Sequence, residues 1–320
     1  MAPRLLVLGA GGFLGRSIVH HLAGTGDAEL ILHSRGADDR AGNGLDLDLD
    51  LEWHNLDLLN SAPGALADLV DEVAPDAIVN CTGLAFGEPA DLRVANVLLV
   101  IRLIAELDEC KGIHLVHLGS AAEYGRSIDN CPVAETALAI PQSDYGITKL
   151  MATEQLMRAA AEERLSVTVL RVFNPVGRFS PETTLPGGAA RKIDLALRSG
   201  AKAIHLGPLD SWRDYVDTRD IARAVLAASV ITPRTSAVLN VARGEAVEGT
   251  QLIKALTAIA GYHGDVIQSA PRSVRSASVN WVCADVRAIK KELGWAALHS
   301  IEDSLGELWN GIIASRESRE

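Results

Sequence analysis

The sequence has no basic cluster. Its 30 lysines and arginines face 41 acids, and the net charge of −11 is spread along the chain. Nothing in it could release counterions from a nucleic acid backbone, so nucleic acid binding is not an expected function. Cysteine is also scarce. Cys81, Cys110, Cys131 and Cys283 lie too far apart for a Cys-x-x-Cys metal or redox motif, so free thiols and no metal site are expected. No signal peptide pattern, no long apolar span and no long internal repeat occur, which points to a cytoplasmic enzyme and not to a secreted, membrane or solenoid protein.

What is present suits one large folded unit. The chain has 320 residues, 48% of them hydrophobic, enough for a sizeable core. Short β-branched or leucine runs alternate with helical patterns through the first half, the signature of right-handed βαβ units around a parallel sheet. Strands are predicted at residues 5–8, 29–33, 49–53, 77–81, 114–118, 167–172 and 237–241, and helices at 93–108, 145–163, 190–199 and 221–230. Residues 45–52 alternate leucine with an acid; period two puts the acids on one solvated strand face, not around a cation. From Pro175 a stretch rich in Gly, Pro and Thr runs to about Gly188 and opens a substrate lobe; residues 315–320 are expected to fray. The expected fold class is α/β, a doubly wound parallel sheet with a smaller C-terminal substrate lobe. Residues 1–174 and 213–242 are assigned to the dinucleotide domain, and 175–212 and 243–320 to the lobe.

Gly9, Gly12 and Gly15 follow the first strand and open a helix containing Ile18, Val19 and Leu22, with Phe13 and Leu14 inside the turn. Glycine permits the tight turn and lets backbone N–H groups approach a pyrophosphate, whose charge the helix N-terminus favours. A cofactor lacking a 2′-phosphate meets an acid about 20 residues further on. Here Ser34 and Arg35 end the second strand instead, and a guanidinium can pair bidentately with phosphate oxygens. NADPH is therefore the expected cofactor, with NAD possible.

Tyr145 and Lys149 lie four apart at the start of an apolar-striped helix, so the two side chains share a face. A neighbouring cation favours the ionised phenol, which makes tyrosine a usable acid or base near neutral pH. Ser120 sits just past the strand at 114–118, where the chemistry of an open parallel sheet takes place, and is placed to bind a carbonyl oxygen that Tyr145 protonates.

These features together resemble the extended short-chain dehydrogenase/reductase family, from Leu5 to about Trp309. The ordered motifs are the three glycines; Asp57 with Leu58; Asn80, Cys81, Thr82 and Gly83; Asn96; GSAAEYG at 119–125; Tyr145 and Lys149; RVFNPVG at 171–177; WRDYVDTRD at 212–220; and LGW at 293–295. The resemblance implies a catalytic triad of Ser120, Tyr145 and Lys149, with Lys149 holding the nicotinamide ribose and Asn96 a supporting polar group. It further implies adenine contacts at Asp57 and Leu58, a ribose loop at Cys81, Thr82 and Gly83, and a cofactor contact at Phe173.

Dehydratases of this family carry an Asp-Glu pair after the catalytic hydroxyl residue. Ala121 and Ala122 stand there, with Glu123 one place too late, which disfavours elimination of water. The motifs are most similar to reductases of nucleotide-linked 4-keto-6-deoxysugars. In that reading Ser120, Ala121 and Ala122 line the sugar site, Asn174 and Arg213 contact the substrate diphosphate, and Arg178, Arg191 and Lys192 could assist. An NAD-dependent epimerase, a reductase of non-sugar ketones or imines, and a catalytically silent dinucleotide sensor are the alternatives. The helices at 93–108 and 145–163 pair across a two-fold axis in this family, implying a homodimer.

Overall fold

The computed structural model describes residues 2–36, 51–110, 112–125, 131–232, 236–268 and 280–317. Its first half runs β1 (Arg4–Leu8), α1 (Phe13–Thr25), β2 (Glu29–Ser34), β3 (Glu52–Asn55), α2 (Ala65–Val73), β4 (Ala77–Asn80), α3 (Pro89–Arg93), α4 (Leu99–Leu107), β5 (His114–Ser120), α5 (Asp144–Ala161) and β6 (Ser166–Val172). Then come β7 (Asn174–Val176), α6 (Leu185–Ser199), β8 (Ala203–Leu206), β9 (Trp212–Asp217), α7 (Thr218–Val230), β10 (Ala237–Val241), β11 (Ala246–Glu248), α8 (Gly249–Ala260), β12 (Asp265–Gln268), β13 (Trp281–Val282), α9 (Arg287–Leu293) and α10 (Ile301–Glu317).

Seven strands form one parallel sheet in the order β10-β6-β5-β4-β1-β2-β3, the doubly wound Rossmann arrangement. The central strands are apolar at nearly every position because both faces are covered. Leu5, Val7, Val79 and Leu118 pack under α1 and α7, while Leu6, Leu8, Ile78 and Leu115 pack under α2, α4 and α5. Each such leucine contributes about 2 kcal/mol by leaving water. The order reverses between β1 and β4, and Leu8 is in register with both His33 and Asn80. Gly9, the end of β2 and the loop after β4 therefore emerge at one edge, and Ser120, paired with Val172, ends β5 at the same edge.

A second core gathers Val176, Ile193, Leu206, Tyr215, Leu252, Leu256 and Leu305 from α6, α8, α10 and short strands. Strand β9 lies here and not in the large sheet, pairing with β7, β11 and β13; β8 and β12 form a separate parallel pair.

Several boundaries depart from the sequence reading. Ser120 closes β5 and does not lie past it. The helix expected from 93 begins at Pro89 and passes through a π turn at Val94–Leu98. The helix expected from 190 begins at Leu185, because the Thr184 hydroxyl accepts from the Gly187 N–H and Pro186 suits the first turn. The predicted strand at 49–53 is found at Glu52–Asn55; residues 45–50 of the alternating tract and 318–320 of the tail lie outside the described residues. No described helix is long and apolar enough to cross a membrane.

Candidate active site

The glycine turn is built for close backbone approach. Gly9 has φ +76°, where L residues are strained, and a Cβ there would stand 3.1 Å from Thr82. A Cβ on Gly15 would lie 2.3 Å from the Gly9 carbonyl oxygen, so only glycine lets α1 start against the turn. Gly12 caps α1 without any side-chain acceptor on its first N–H groups. Those amides are open to an anion at the positive end of the helix dipole, so the cradle fits a dinucleotide pyrophosphate. Phe13 and Leu14 supply the first helical residues, and Leu14 packs on the core.

At the far end of the cradle the candidates divide. Arg35 is exposed beyond β2, and its charge helps hold the Asp57 carboxyl below the usual carboxylate range, so the two flank one end of the site. The larger cause of that depression is the Asn60 side chain, which donates to Asp57 at 2.9 Å; the Leu59 and Asn60 N–H groups donate as well. Asp57 thus also caps its own turn. Ser34 is buried, with its hydroxyl bonded within reach of Gly36 O and Asn55 Oδ1, and Leu58 is buried among the α2 and α4 leucines. Neither presents a free surface to a ligand, because each completes the sheet edge or the core.

The loop after β4 is clamped from three sides. Asn80 Oδ1 accepts from the Thr82 N–H (3.0 Å) and hydroxyl (2.5 Å), while its Nδ2 donates to His117 Nδ1 (2.9 Å). Burial and the Lys149 charge push His117 well below its ordinary range, so it serves as a neutral acceptor. Asn96, on the π turn, accepts from the Leu84 N–H and donates to Leu84 O and to Thr148 Oγ1 on α5. Gly83, at φ +129°, has no Cβ to strike Asn96, which would stand 2.5 Å away. Burial pushes the Cys81 thiol up to about 12, leaving it a packing group.

Ser120, Tyr145 and Lys149 come together at the edge of the sheet. Gly146 lacks the Cβ that would stand 2.4 Å from Ala122 O, and this lets the start of α5 press against the single 3₁₀ turn at Ala121–Glu123. The Ser120 hydroxyl faces the Tyr145 phenol. Lys149 Nζ donates to Leu118 O at 2.5 Å, and burial lowers the ammonium to about 8, with Glu123 and Cys81 pulling it back up. The expected depression of the phenol by Lys149 is not found. Burial dominates and pushes the Tyr145 phenol up from its ordinary range, the nearby Ser120 hydroxyl opposes it, and the Glu123 carboxylate adds to the rise.

Glu123, noted in the sequence only as one place too late for a dehydratase pair, is fully buried. One oxygen accepts from the Ser120 N–H (2.8 Å) and the other from Arg171 Nε (2.7 Å). The pattern Ser-x-x-Glu of a capping box was the available signal.

The proposed substrate residues separate too. Asn174 Nδ2 donates to Asp214 O (2.8 Å), and Arg213, its neighbour across β9, donates from Nη1 to Trp212 O (2.8 Å), with burial lowering its guanidinium. Arg178 is elsewhere. It faces Glu307 of α10 at 3.7 Å and lines a cavity of about 250 Å³ with His20, His21 and Phe179, because the chain turns back onto α1 after β7. Arg191 faces Glu182 at 3.6 Å, and Lys192 donates to His205 O. Phe173 is buried against Tyr124 in a small cluster and does not line the cradle.

Residues 5–242 match the NAD dependent epimerase/dehydratase family. The chain belongs to that family. It is an NAD(P)-dependent enzyme of the extended short-chain dehydrogenase/reductase type. It is 33% identical to dTDP-6-deoxy-L-talose 4-dehydrogenase (NAD(P)(+)) of Kitasatospora kifunensis, across 96% of this chain and 94% of that protein. It is 27% identical to GDP-6-deoxy-D-mannose reductase of Pseudomonas aeruginosa, across 100% of this chain and 99% of that one. Among solved structures, RMD from Pseudomonas aeruginosa complexed with NADPH superimposes with a TM-score of 0.80 at 25% identity, covering 99% of this chain and 100% of that one.

Proposed function

We propose that this family member reduces a keto group on a nucleotide-linked 4-keto-6-deoxysugar, with NADPH as reductant. The observation behind this reading is the meeting of Ser120, Tyr145 and Lys149, the last anchored on Leu118 O, at the sheet edge that also bears the glycine cradle. Two relatives along nearly the whole chain act, by name, on 6-deoxysugars linked to dTDP or GDP, both as oxidoreductases.

Bound on the Gly9, Gly12 and Gly15 turn, NADPH would supply the hydride for the keto carbon. Ser120 orients the carbonyl oxygen by donating to it, and Tyr145 gives its proton to that oxygen as it becomes an alkoxide. Lys149, anchored by Leu118 O, is assigned to the nicotinamide ribose. Gly9, Gly12 and Gly15 hold the pyrophosphate, while Thr82, Gly83 and Asn96 shape the wall beside it. Asn174 and Arg213 receive the substrate diphosphate from β7 and β9. A charge-assisted bond contributes about 1.5–3 kcal/mol, so Arg35→Ala is expected to raise KM for NADPH ~10- to 100-fold with little change for NADH.

The test is NADPH oxidation against dTDP-, GDP-, UDP- and CDP-linked keto sugars and simple ketones. Turnover on a keto sugar supports the reading. A nicotinamide absorbance that copurifies with the protein, without net consumption of cofactor, would instead identify an epimerase, and turnover confined to simple ketones a non-sugar reductase.

The division into a dinucleotide domain and a substrate lobe is part of the same proposal, and so is a homodimer. Val94, Leu98 and Ile101 lie along one exposed line of the π turn and α4, and Ile147 and Met151 are exposed on the adjoining α5. Such a stripe, four and three residues apart, suits a two-fold helix interface. Sedimentation at micromolar concentration reads the state directly.

A further inference from the structure

We propose that Glu123 acts on the reaction without touching the substrate, as a positioning residue whose carboxylate, held by Arg171, fixes the end of β5 behind Ser120 and beside Tyr145. The inference rests on the reductase reading for its meaning, but not for its test.

The geometry comes first. Glu123 Oε1 takes the Ser120 N–H, which orients the end of β5, while the Ser120 Oγ takes the Ala122 N–H (3.2 Å) and faces the Tyr145 phenol. Gly119 makes room, since a Cβ there would lie 2.8 Å from Glu123 Oε1. The other oxygen is held by Arg171, whose guanidinium lies over the Tyr124 ring at 4.5 Å. Both carboxylate oxygens are thereby committed, so Glu123 is not an acid or base for eliminating water. A buried ion pair is commonly no more stabilising than apolar residues of the same volume, so stability alone does not account for it.

The charged groups around this centre act in one direction. Tyr145 on α5 is faced by Ser120 of β5 and by Glu123, and the latter raises it. Lys149 on α5 is faced by Glu123 and by Cys81 beyond β4, and both raise it; His117 of β5 lies near Lys149 and is held neutral. Arg171 of β6 and Tyr124 meet Glu123 on its far side. Losing the carboxylate lets both the phenol and the ammonium give up protons at lower pH.

The test titrates Tyr145 by tyrosinate ultraviolet absorbance, taking each protein minus its Tyr145→Phe counterpart; only four tyrosines are present, so the difference is readable. Glu123→Gln is expected to lower the phenol midpoint, and Glu123→Asp, which keeps the charge, to leave it near the wild-type value. Where Glu123→Gln fails to fold around an unpaired Arg171, the double variant Glu123→Gln/Arg171→Met removes both charges and carries the same expectation. An unchanged or higher midpoint in the folded variant overturns the proposal. The measurement needs no substrate. If the midpoint falls but no keto sugar is reduced, the reductase reading fails alone; if keto sugars are reduced but the midpoint stays, this inference fails alone. With a substrate in hand, the alkaline limb of the kcat profile in Glu123→Gln should move to lower pH, with ~tenfold or greater loss on the alkaline side.

Discussion

The β5–α5 corner and the β9 segment are both dense in polar residues, yet they use them in opposite ways. At the corner, Ser120, Tyr145 and Lys149 meet with spare hydrogen-bonding capacity, and burial shifts both titratable groups. On β9 and the first turn of α7 the acids are spent on architecture. Asp214 accepts from the N–H groups of Arg243, Gly244 and Ala284 and faces the Cys283 thiol; Asp217 caps α7 and pairs with Arg219; Asp220 receives the Leu298 and His299 N–H groups while its carbonyl takes the Trp295 indole. A matched motif can therefore report chemistry in one place and construction in another. The distinction is visible in whether a buried polar group still has an unspent partner.

Opposite signatures on mutation would establish that contrast. Tyr145→Phe should lower kcat by roughly 10²- to 10⁴-fold while NADPH affinity, by fluorescence titration, and the urea midpoint stay close to wild type. A large loss of stability instead would place Tyr145 with the architectural residues.

Asp214→Asn should do the reverse. Burial raises the folded carboxyl to about 6, against an ordinary 3.8, so the native state holds the proton more tightly than the unfolded one. The linked stability is complete below about 4 and is lost as pH rises through about 6. Wild-type urea stability should fall across that window by about 1–3 kcal/mol. The variant should lack the slope and be less stable throughout, since an amide cannot accept from three N–H groups as a carboxylate does. A slope that persists in Asp214→Asn would assign it to another group.

Arg178→Ala gives the smallest expected effect. Its partner Glu307 is 3.7 Å away and both side chains are partly exposed, so the loss should be within about 0.5 kcal/mol, with the substrate KM moved less than twofold. A tenfold rise in KM would return Arg178 to the substrate site.

Legibility in the sequence followed the length and continuity of burial. β1, β5 and β6 could be read because their leucines and valines are covered on both faces and recur within a short span, and α5 because its stripe is long. Strands β7, β11 and β13 have two or three residues each, too few to show a period, and their pairing is set by β9 from a distance. The Gly9, Gly12 and Gly15 turn was legible because backbone geometry demands that residue type. Ser34, Leu58, Arg178 and Phe173 were less so, because residue type does not reveal which way a side chain turns once the chain leaves its strand. Glu123 was hidden for a different reason: its partner Arg171 is 48 positions away, although the local capping pattern was in view.

The π turn at Val94–Leu98 makes the clamp on the cofactor wall a matter of phase. It admits one more residue to the helix than an uninterrupted α-helix would hold, and each residue turns an α-helix by about 100°. Removing one residue there would keep the helix and its composition yet swing Asn96 off Gly83, Leu84 and Thr148 together. The loop after β4 thus depends on a single unit of length, and chains that differ only by that unit would share Ser120, Tyr145 and Lys149 and still shape the space beside them differently.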